Sequence, residues 1–161
     1  MSDPRERFDS APQQPAPVPT HVHYHREQRQ LELVYHADVL AEHGASDALA
    51  SATRDDQEHA YFTLPVELLR VFSPSAEVRG HSPDQAVLQT GKRDVTLLNI
   101  EPVGNYALKL FFDDGHNSGI YSWAFLFELA IHRHDWWQHY LKELETAGAS
   151  RAPLGIQIKQ L

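Results

Sequence analysis

The chain has 161 residues, of which 42% are hydrophobic, and a formal charge of −8 from 14 basic and 22 acidic side chains. This length fits one domain with tails, and the negative charge excludes a function that depends on attraction to nucleic-acid phosphates. The absence of cysteine excludes disulfides, thiolate nucleophiles and cysteine ligands for zinc or iron–sulfur clusters within the chain.

The sequence of the N-terminal region shows neither the apolar core of a signal peptide nor the pattern of a folded element. Residues 1–20 contain five of the ten prolines and almost no large apolar side chains, which predicts a disordered leader. No apolar segment anywhere in the chain approaches the length needed to span a membrane. We therefore expect a soluble, cytoplasmic protein without a membrane partner.

Two strands joined by a polar turn are predicted after the leader, because apolar and polar residues alternate in H-V-H-Y-H (21–25) and in L-E-L-V-Y (31–35). The alternation places His21, His23 and His25 on one face of the first strand. Two interpretations of this face stay open. We favour an exposed edge strand, and the alternative is a row of histidines that chelates metal.

Residues 38–58 interrupt the pattern. They are rich in alanine and charged residues, which predicts an inserted, partly helical or mobile excursion. A short strand is predicted over 60–64, followed by a helix over 65–71. Proline suits the start of that helix because its missing N–H would be unpaired there in any case.

The second half of the chain predicts a turn-rich segment, further strands and two helices. Proline, glycine and polar residues make 73–93 turn-rich. Strands are predicted over 95–102, 106–112 and 119–122, and helices over 123–130 and 134–147, the last ended by Gly148. A loosely held tail, 149–161, follows. Trp136, Trp137 and Tyr140 form an aromatic cluster for which we favour core packing over the seam of a homodimer.

Four segments, in order along the chain, carry a family resemblance: L-P-V-E-L-L-R-V-F-S-P-S-A-E-V-R-G-H (64–81), G-K-R-D-V (91–95), I-E-P-V-G-N-Y-A (100–107) and D-D-G-H-N-S-G-I-Y-S-W (113–123). Together they resemble the DUF971 family, which is similar to the N-terminal domain of gamma-butyrobetaine hydroxylase. The resemblance covers residues 21–130, with 38–58 as an insertion, and leaves 131–148 as a C-terminal helix. It implies a single α+β domain in which helices pack on a small antiparallel sheet.

The resemblance also implies a class of function. In the hydroxylases this domain precedes an iron- and 2-oxoglutarate-dependent catalytic domain and contributes a structural zinc site and dimer contacts. The family also occurs as free-standing bacterial proteins and as a module attached to an iron–sulfur scaffold ATPase. We expect no enzyme activity, because the chain is too short to hold the catalytic domain as well.

A zinc site is implied only for family members that carry its ligands. Those members combine a Cys-x-Cys-x-x-Cys segment after the first helix with one later histidine. The matching positions here are Ser73, Ser75 and Val78, and only His116 keeps a metal-binding side chain. We therefore expect the two serines to hydrogen-bond the turn. The alternative is a weaker iron or zinc site rebuilt from His116, Glu77 and His81.

The loop that follows the first helix holds the one local concentration of basic residues, which comprises Arg70, Arg79, Lys92 and Arg93. They are either solvated charges paired with nearby acids, or, with Ser73 and Ser75, a small binding site for an anion or a partner. Two functional hypotheses follow. The first is a non-catalytic accessory module that binds a protein partner, such as iron–sulfur assembly machinery. The second is a small metal-binding protein that holds iron or zinc through His116 and nearby carboxylates.

Overall fold

A computed structural model of the chain describes residues 15–54, 58–80 and 85–153. The strands of this part form two antiparallel sheets. The first sheet has the order β1-β2-β4-β3 and is built from β1 (His21–His25), β2 (Gln30–His36), β3 (Thr53–Arg54) and β4 (His59–Pro65). The second has the order β5-β6-β7 and is built from β5 (Leu97–Val103), β6 (Ala107–Phe112) and β7 (Ile120–Ser122).

The first sheet forms because alternate residues of its central strands are apolar. The inward side chains Leu31, Leu33 and Tyr35 of β2 lie in register with Leu64, Phe62 and Ala60 of β4, and all six are fully buried. Alternation leaves the other face of the sheet to mostly polar residues. A hydrogen bond from the Leu97 N–H to the Tyr24 hydroxyl, 3.3 Å, joins the two sheets.

Helices cover the buried faces of the sheets. They are α1 (Ala37–Glu42), a 3-10 helix (Ser46–Ser51), α2 (Val66–Val71), α3 (Ala76–Arg79), α4 (Trp123–Ile131) and α5 (Arg133–Ala147). Ser122 caps α4 by accepting the Phe125 N–H at 3.1 Å, and Gly148 ends α5 in the left-handed conformation that glycine adopts without strain. No helix in the described part of the chain is both long and apolar enough to cross a membrane.

The predicted α+β class is confirmed, and the strands form two sheets. The excursion predicted over 38–58 contains α1 and the 3-10 helix, and its β3 pairs with β4. Helix α3 was not predicted within the turn-rich segment, and α2 begins one residue later than predicted, with Pro65 at its N-cap. Of the predicted leader and tail, residues 1–14 and 154–161 lie outside the described part, as does His81.

The aromatic cluster of α5 packs into the core. Trp136 and Tyr140 are each 2% exposed and contact the ring of Phe72. Trp137 is half-buried, and the guanidinium of Arg151 lies over its ring at 4.9 Å. The core-packing interpretation is therefore confirmed for Trp136 and Tyr140, whereas a homodimer stays a prediction.

The hydroxyl of Tyr35 is buried without a hydrogen-bond partner among the described residues, and burial raises the pKa of Tyr35 far above its usual range. An unpaired buried hydroxyl costs about 1–3 kcal/mol. We therefore expect Tyr35→Phe to raise the free energy of unfolding by about 1 kcal/mol in urea titrations.

Tyr121 provides the matched control, because its equally buried hydroxyl donates a hydrogen bond to the Leu69 carbonyl. Tyr121→Phe should lower the free energy of unfolding by about 1 kcal/mol. Shifts of the same sign in the two variants would contradict the assignment of the unpaired hydroxyl.

Candidate functional site

The residues at the resembling family's ligand positions come together between α2 and the β6–β7 loop. Ser73 and Ser75 lie in the turn that leads from α2 to α3, and His116 lies in the loop between β6 and β7. Ser73 is fully buried, Ser75 is 4% exposed and His116 is 7% exposed. The three buried side chains therefore form the centre of a polar cluster, and the exposed residues Glu77 and Ser118 lie at its rim.

Direct hydrogen bonds hold the cluster together. Ser73 Oγ lies 2.8 Å from His116 Nε2, and Glu77 Oε2 lies 3.3 Å from His116 Nδ1. The Nδ1–H tautomer satisfies both contacts, because the Ser73 hydroxyl then donates to Nε2 while Nδ1–H donates to the carboxylate. Both nitrogens of the buried imidazole are thus paired.

The second serine ties the turn to the loop. Its hydroxyl lies 2.7 Å from the hydroxyl of Ser118 and accepts the Glu77 N–H at 3.1 Å, which caps α3. The Ser75 N–H in turn points to Ser73 Oγ at 3.3 Å. Ser73 and Ser75 therefore organise the backbone of the turn as well as contacting the loop that carries His116.

The surroundings of His116 favour its neutral imidazole. Burial lowers the pKa of His116, and the nearby Arg70 guanidinium lowers it further. The carboxylates of Glu77 and Asp114 raise the pKa but do not reverse the shift. Because the folded-state pKa lies below the unfolded value of about 6.5, this group contributes stability that is present above pH 6.5 and is lost as pH falls.

A charged network borders the cluster at Asp114. This carboxylate accepts hydrogen bonds from Arg70 Nε at 2.8 Å, from Lys92 Nζ at 2.7 Å and from the His116 N–H at 3.1 Å. Burial raises the pKa of Asp114, but these hydrogen bonds outweigh it and lower the pKa to about 2. Asp114 therefore stays ionised and fixes the backbone of the histidine loop.

The predicted basic loop does not converge on His116 as a whole. Arg70 and Lys92 meet at Asp114, whereas Arg93 lies on the surface, 3.5 Å from Asp94. Arg79 is half-buried at the end of α3. The structure thus brings Ser73, Ser75 and His116 together, with Glu77 at the rim, whereas the ion pair of Arg93 is with Asp94 on the surface.

The order serine–histidine–carboxylate matches the contact pattern of a hydrolase triad, but the cluster has no access for a substrate. Ser73 has no exposed surface. The backbone of Gly119 packs so closely that a Cβ added there would lie 2.5 Å from Ser73 Oγ. An acyl group has no room to approach the hydroxyl, so the arrangement is structural.

The structural zinc of the resembling family does not fit these residues. Its donor set here would be two hydroxyls, the isopropyl group of Val78 and one imidazole, whereas structural zinc is bound by thiolates and imidazoles. The Nε2 atom of His116 is moreover already hydrogen-bonded to the hydroxyl of Ser73. Among residues 15–54, 58–80 and 85–153, no three histidine, aspartate or glutamate side chains are arranged to hold a metal ion.

A second polar feature lies on the outer face of the first sheet. The strand register places five histidines on this face: His21, His23, His25, His36 and His59. We call it the histidine face. The sequence predicted the first three as one row, and pairing of β2 with β4 adds the other two, whose rings lie 4.5 Å apart.

The cluster and the sheets occur in a segment with recognised relatives. A family model described as "Gamma-butyrobetaine hydroxylase-like, N-terminal" matches residues 22–127. Two NMR solution structures are similar to the chain at 39% and 42% sequence identity, each with a TM-score of 0.64. The first comparison covers 91% of this chain and 99% of the other, and the second covers 94% and 97%.

A crystal structure of a protein of unknown function from Acidithiobacillus ferrooxidans, which belongs to the DUF971 family, is 28% identical. That comparison covers 70% of this chain and 92% of the other, with a TM-score of 0.47. No curated protein matches the chain.

Proposed function

The chain belongs to the family of gamma-butyrobetaine hydroxylase-like N-terminal domains, and on this premise we propose that it is a cytoplasmic, non-catalytic accessory module that binds a protein partner in iron or iron–sulfur metabolism. The matching family model describes the N-terminal domain, not the catalytic oxygenase domain of the hydroxylases. The buried serine–histidine pair offers no reactive group to a substrate. Binding is the function that these features support.

The observation that carries the proposal is the exposure of large apolar side chains on the second sheet, at Leu98 of β5 and Ile120 of β7. Ile120 of β7 is 40% exposed and lies opposite Lys109 of β6, whose ammonium group is 5.0 Å from the ring of Phe111. On the neighbouring edge strand, Leu98 is 70% exposed at an irregularity in the strand register. Asn99 and Glu101 of β5 lie opposite Phe111 and Lys109 in the register, so this surface combines exposed apolar side chains with polar ones. Protein-binding surfaces show the same mixture.

The partner surface is therefore assigned to Leu98, Phe111 and Ile120. Proline at position 102 of the edge strand lacks an N–H, so the edge is poorly suited to adding a strand from another chain. Side-chain contacts on the face, not strand addition, would then supply the binding energy.

Binding to a purified iron–sulfur scaffold ATPase tests the proposal. Wild-type protein should bind, and Leu98→Lys with Ile120→Lys should weaken binding at least about tenfold, because charge is introduced into an apolar contact. Val87→Lys is the matched control, since Val87 is 53% exposed but lies outside the face. Equal binding by all three proteins, or none by the wild type, would contradict the proposal.

The same face also fits a second copy of the chain. Sedimentation of the wild-type protein and of the Leu98→Lys/Ile120→Lys variant distinguishes this outcome. Self-association that the variant abolishes would assign the face to a homodimer instead of to the scaffold ATPase.

Iron or zinc binding through His116 is the second candidate function. It is favoured by the 3.3 Å contact between His116 Nδ1 and the carboxylate of Glu77, whose side chain is 71% exposed and therefore free to move. Metal analysis of untagged protein prepared without chelators tests it. One metal ion per chain that is lost in His116→Ala would support this candidate, and an unchanged metal content in that variant would exclude it.

A further inference from the structure

Part of the histidine face already brings three metal-binding side chains close together. The rings of His23 and His25 have centroids 4.4 Å apart. The carboxylate oxygen of Glu32 lies 3.4 Å from His25 Nε2, and Glu32 is directly opposite His23 in the strand register. The three residues belong to two strands whose pairing fixes the spacing of their backbones.

We propose that His23, His25 and Glu32 bind one divalent transition-metal ion, Zn²⁺, on the outer face of the first sheet. Two imidazoles and one carboxylate, with water in the fourth position, form a ligand set that zinc adopts in open sites. Zinc–ligand distances of about 2.0–2.2 Å place tetrahedral ligand atoms about 3.3 Å from one another. The separation of 3.4 Å between His25 Nε2 and Glu32 Oε1 meets this requirement.

The site is completed when the ion binds. No three such side chains in the described ranges already surround a common point, so His23 must rotate about its side-chain bonds. His23 is exposed, and the neighbouring ring of His25 contacts it edge-on, so this rotation meets no buried packing. Imidazole ligands select zinc and its transition-metal neighbours over Mg²⁺ and Ca²⁺, which require oxygen ligands.

The inference is independent of partner binding, because the proposed metal site lies on the first sheet, whereas Leu98 and Ile120 belong to the second sheet. It is also distinct from the second candidate function, because His116 lies in the β6–β7 loop and is buried against the turn that follows α2. A metal ion held on the histidine face would leave the hydrogen bonds of His116 unchanged.

Calorimetric titration of the untagged chain with Zn²⁺ tests the proposal. We expect one ion to bind per chain, and His23→Gln/His25→Gln to weaken binding at least about tenfold, since loss of even an outer-shell partner of a metal ligand costs 10–100-fold. Glu32→Gln should also weaken it. The matched control is His36→Gln/His59→Gln, which removes two histidines from the same face and should leave the affinity unchanged.

Three results would overturn the proposal. The first is the absence of Zn²⁺ binding by the wild-type protein. The second is an equal loss of Zn²⁺ affinity in the control variant His36→Gln/His59→Gln, and the third is a loss of Zn²⁺ affinity in the single variant His116→Ala. Titration with Mg²⁺ under the same conditions should give no heat of binding, and circular dichroism of each variant checks that its fold is intact.

Discussion

Cysteine at positions 73, 75 and 78 is expected to convert the buried cluster into a zinc site. Ser73 Oγ already lies 2.8 Å from His116 Nε2, and Ser75 is the N-cap of α3, with its hydroxyl on the loop that carries His116. Val78 follows Ser75 by three residues, so both side chains lie on the same side of the short helix, and Val78 is 1% exposed. Three thiolates and one imidazole form a closed tetrahedral set.

Thermal unfolding with and without Zn²⁺ measures the effect of Ser73→Cys/Ser75→Cys/Val78→Cys. A free zinc concentration of about a thousand times the Kd stabilises the folded state by about 4 kcal/mol, which should raise Tm by at least about 10 °C. The wild-type protein should show no comparable shift, because hydroxyls bind zinc poorly.

Adding His116→Ala to the three cysteines is the control. It leaves the thiolates in place and removes the fourth ligand, so zinc affinity should fall at least about tenfold. A triple-cysteine variant that binds no zinc, or that binds it equally well without His116, would show that these four positions do not share one coordination sphere.

Arg70→Met is expected to lower the free energy of unfolding by about 2 kcal/mol, as is typical when hydrogen bonds from a charged group are lost. The Arg70 side chain is 8% exposed, donates to Asp114 at 2.8 Å and donates to Gln89 at 3.0 Å. Methionine keeps the apolar stem but leaves the carboxylate and the amide oxygen without this donor. Urea unfolding at pH 7 measures the loss.

Arg93→Met is the matched control for that experiment. The Arg93 side chain is 51% exposed and lies 3.5 Å from the equally exposed Asp94, so its loss should change stability by less than about 0.5 kcal/mol. Similar losses in the two variants would contradict a special role for the buried arginine.

Acid titration separates the ion pair from simple packing. Because the pKa of Asp114 is lowered to about 2, its stabilising effect is present above the unfolded-state pKa of about 3.9 and is lost as pH falls toward 2. This acid-dependent loss should be smaller in Arg70→Met, since one of the donors that lower the pKa is gone. An unchanged acid profile would assign the effect of Arg70 to packing alone.

The sheets were predictable because their periodicity is local. Alternating apolar residues in 31–35 and 60–64 mark β2 and β4, and the glycine at position 104 marks the turn between β5 and β6. The two-residue β3 and the four-residue α3 are too short to show a period. They form because β4 offers an edge for pairing and because Ser75 caps the first turn of α3.

The candidate site was predictable in its members but not in its chemistry. The family resemblance grouped Ser73, Ser75 and His116, and those three do meet. No sequence pattern indicates that Ser73 would pair with His116 Nε2, because that contact depends on the close packing of Gly119. The full histidine face was also hidden, since the position of His59 opposite His36 depends on how the excursion between β2 and β4 returns.

Burial of α2 on all sides was not predictable either. Every residue of this helix is buried, including Glu67 and Arg70, although their types favour an exposed face. Glu67 is paired with Arg151 and Arg70 with Asp114, and both partners lie far along the chain. The predicted tail is thus fixed at Arg151 by an interaction with no local signal.

The pairing of Glu67 with Arg151 makes the enclosure of α2 depend on a residue that follows α5. Arg151 donates two hydrogen bonds, of 2.7 and 2.8 Å, to a carboxylate located 84 residues earlier in the chain. While the ribosome is still making the intervening segment, enclosing α2 would strand an unpaired charge in the core. The closed interior therefore requires the chain up to Arg151, which makes completion of the core depend on a segment that lies beyond α5.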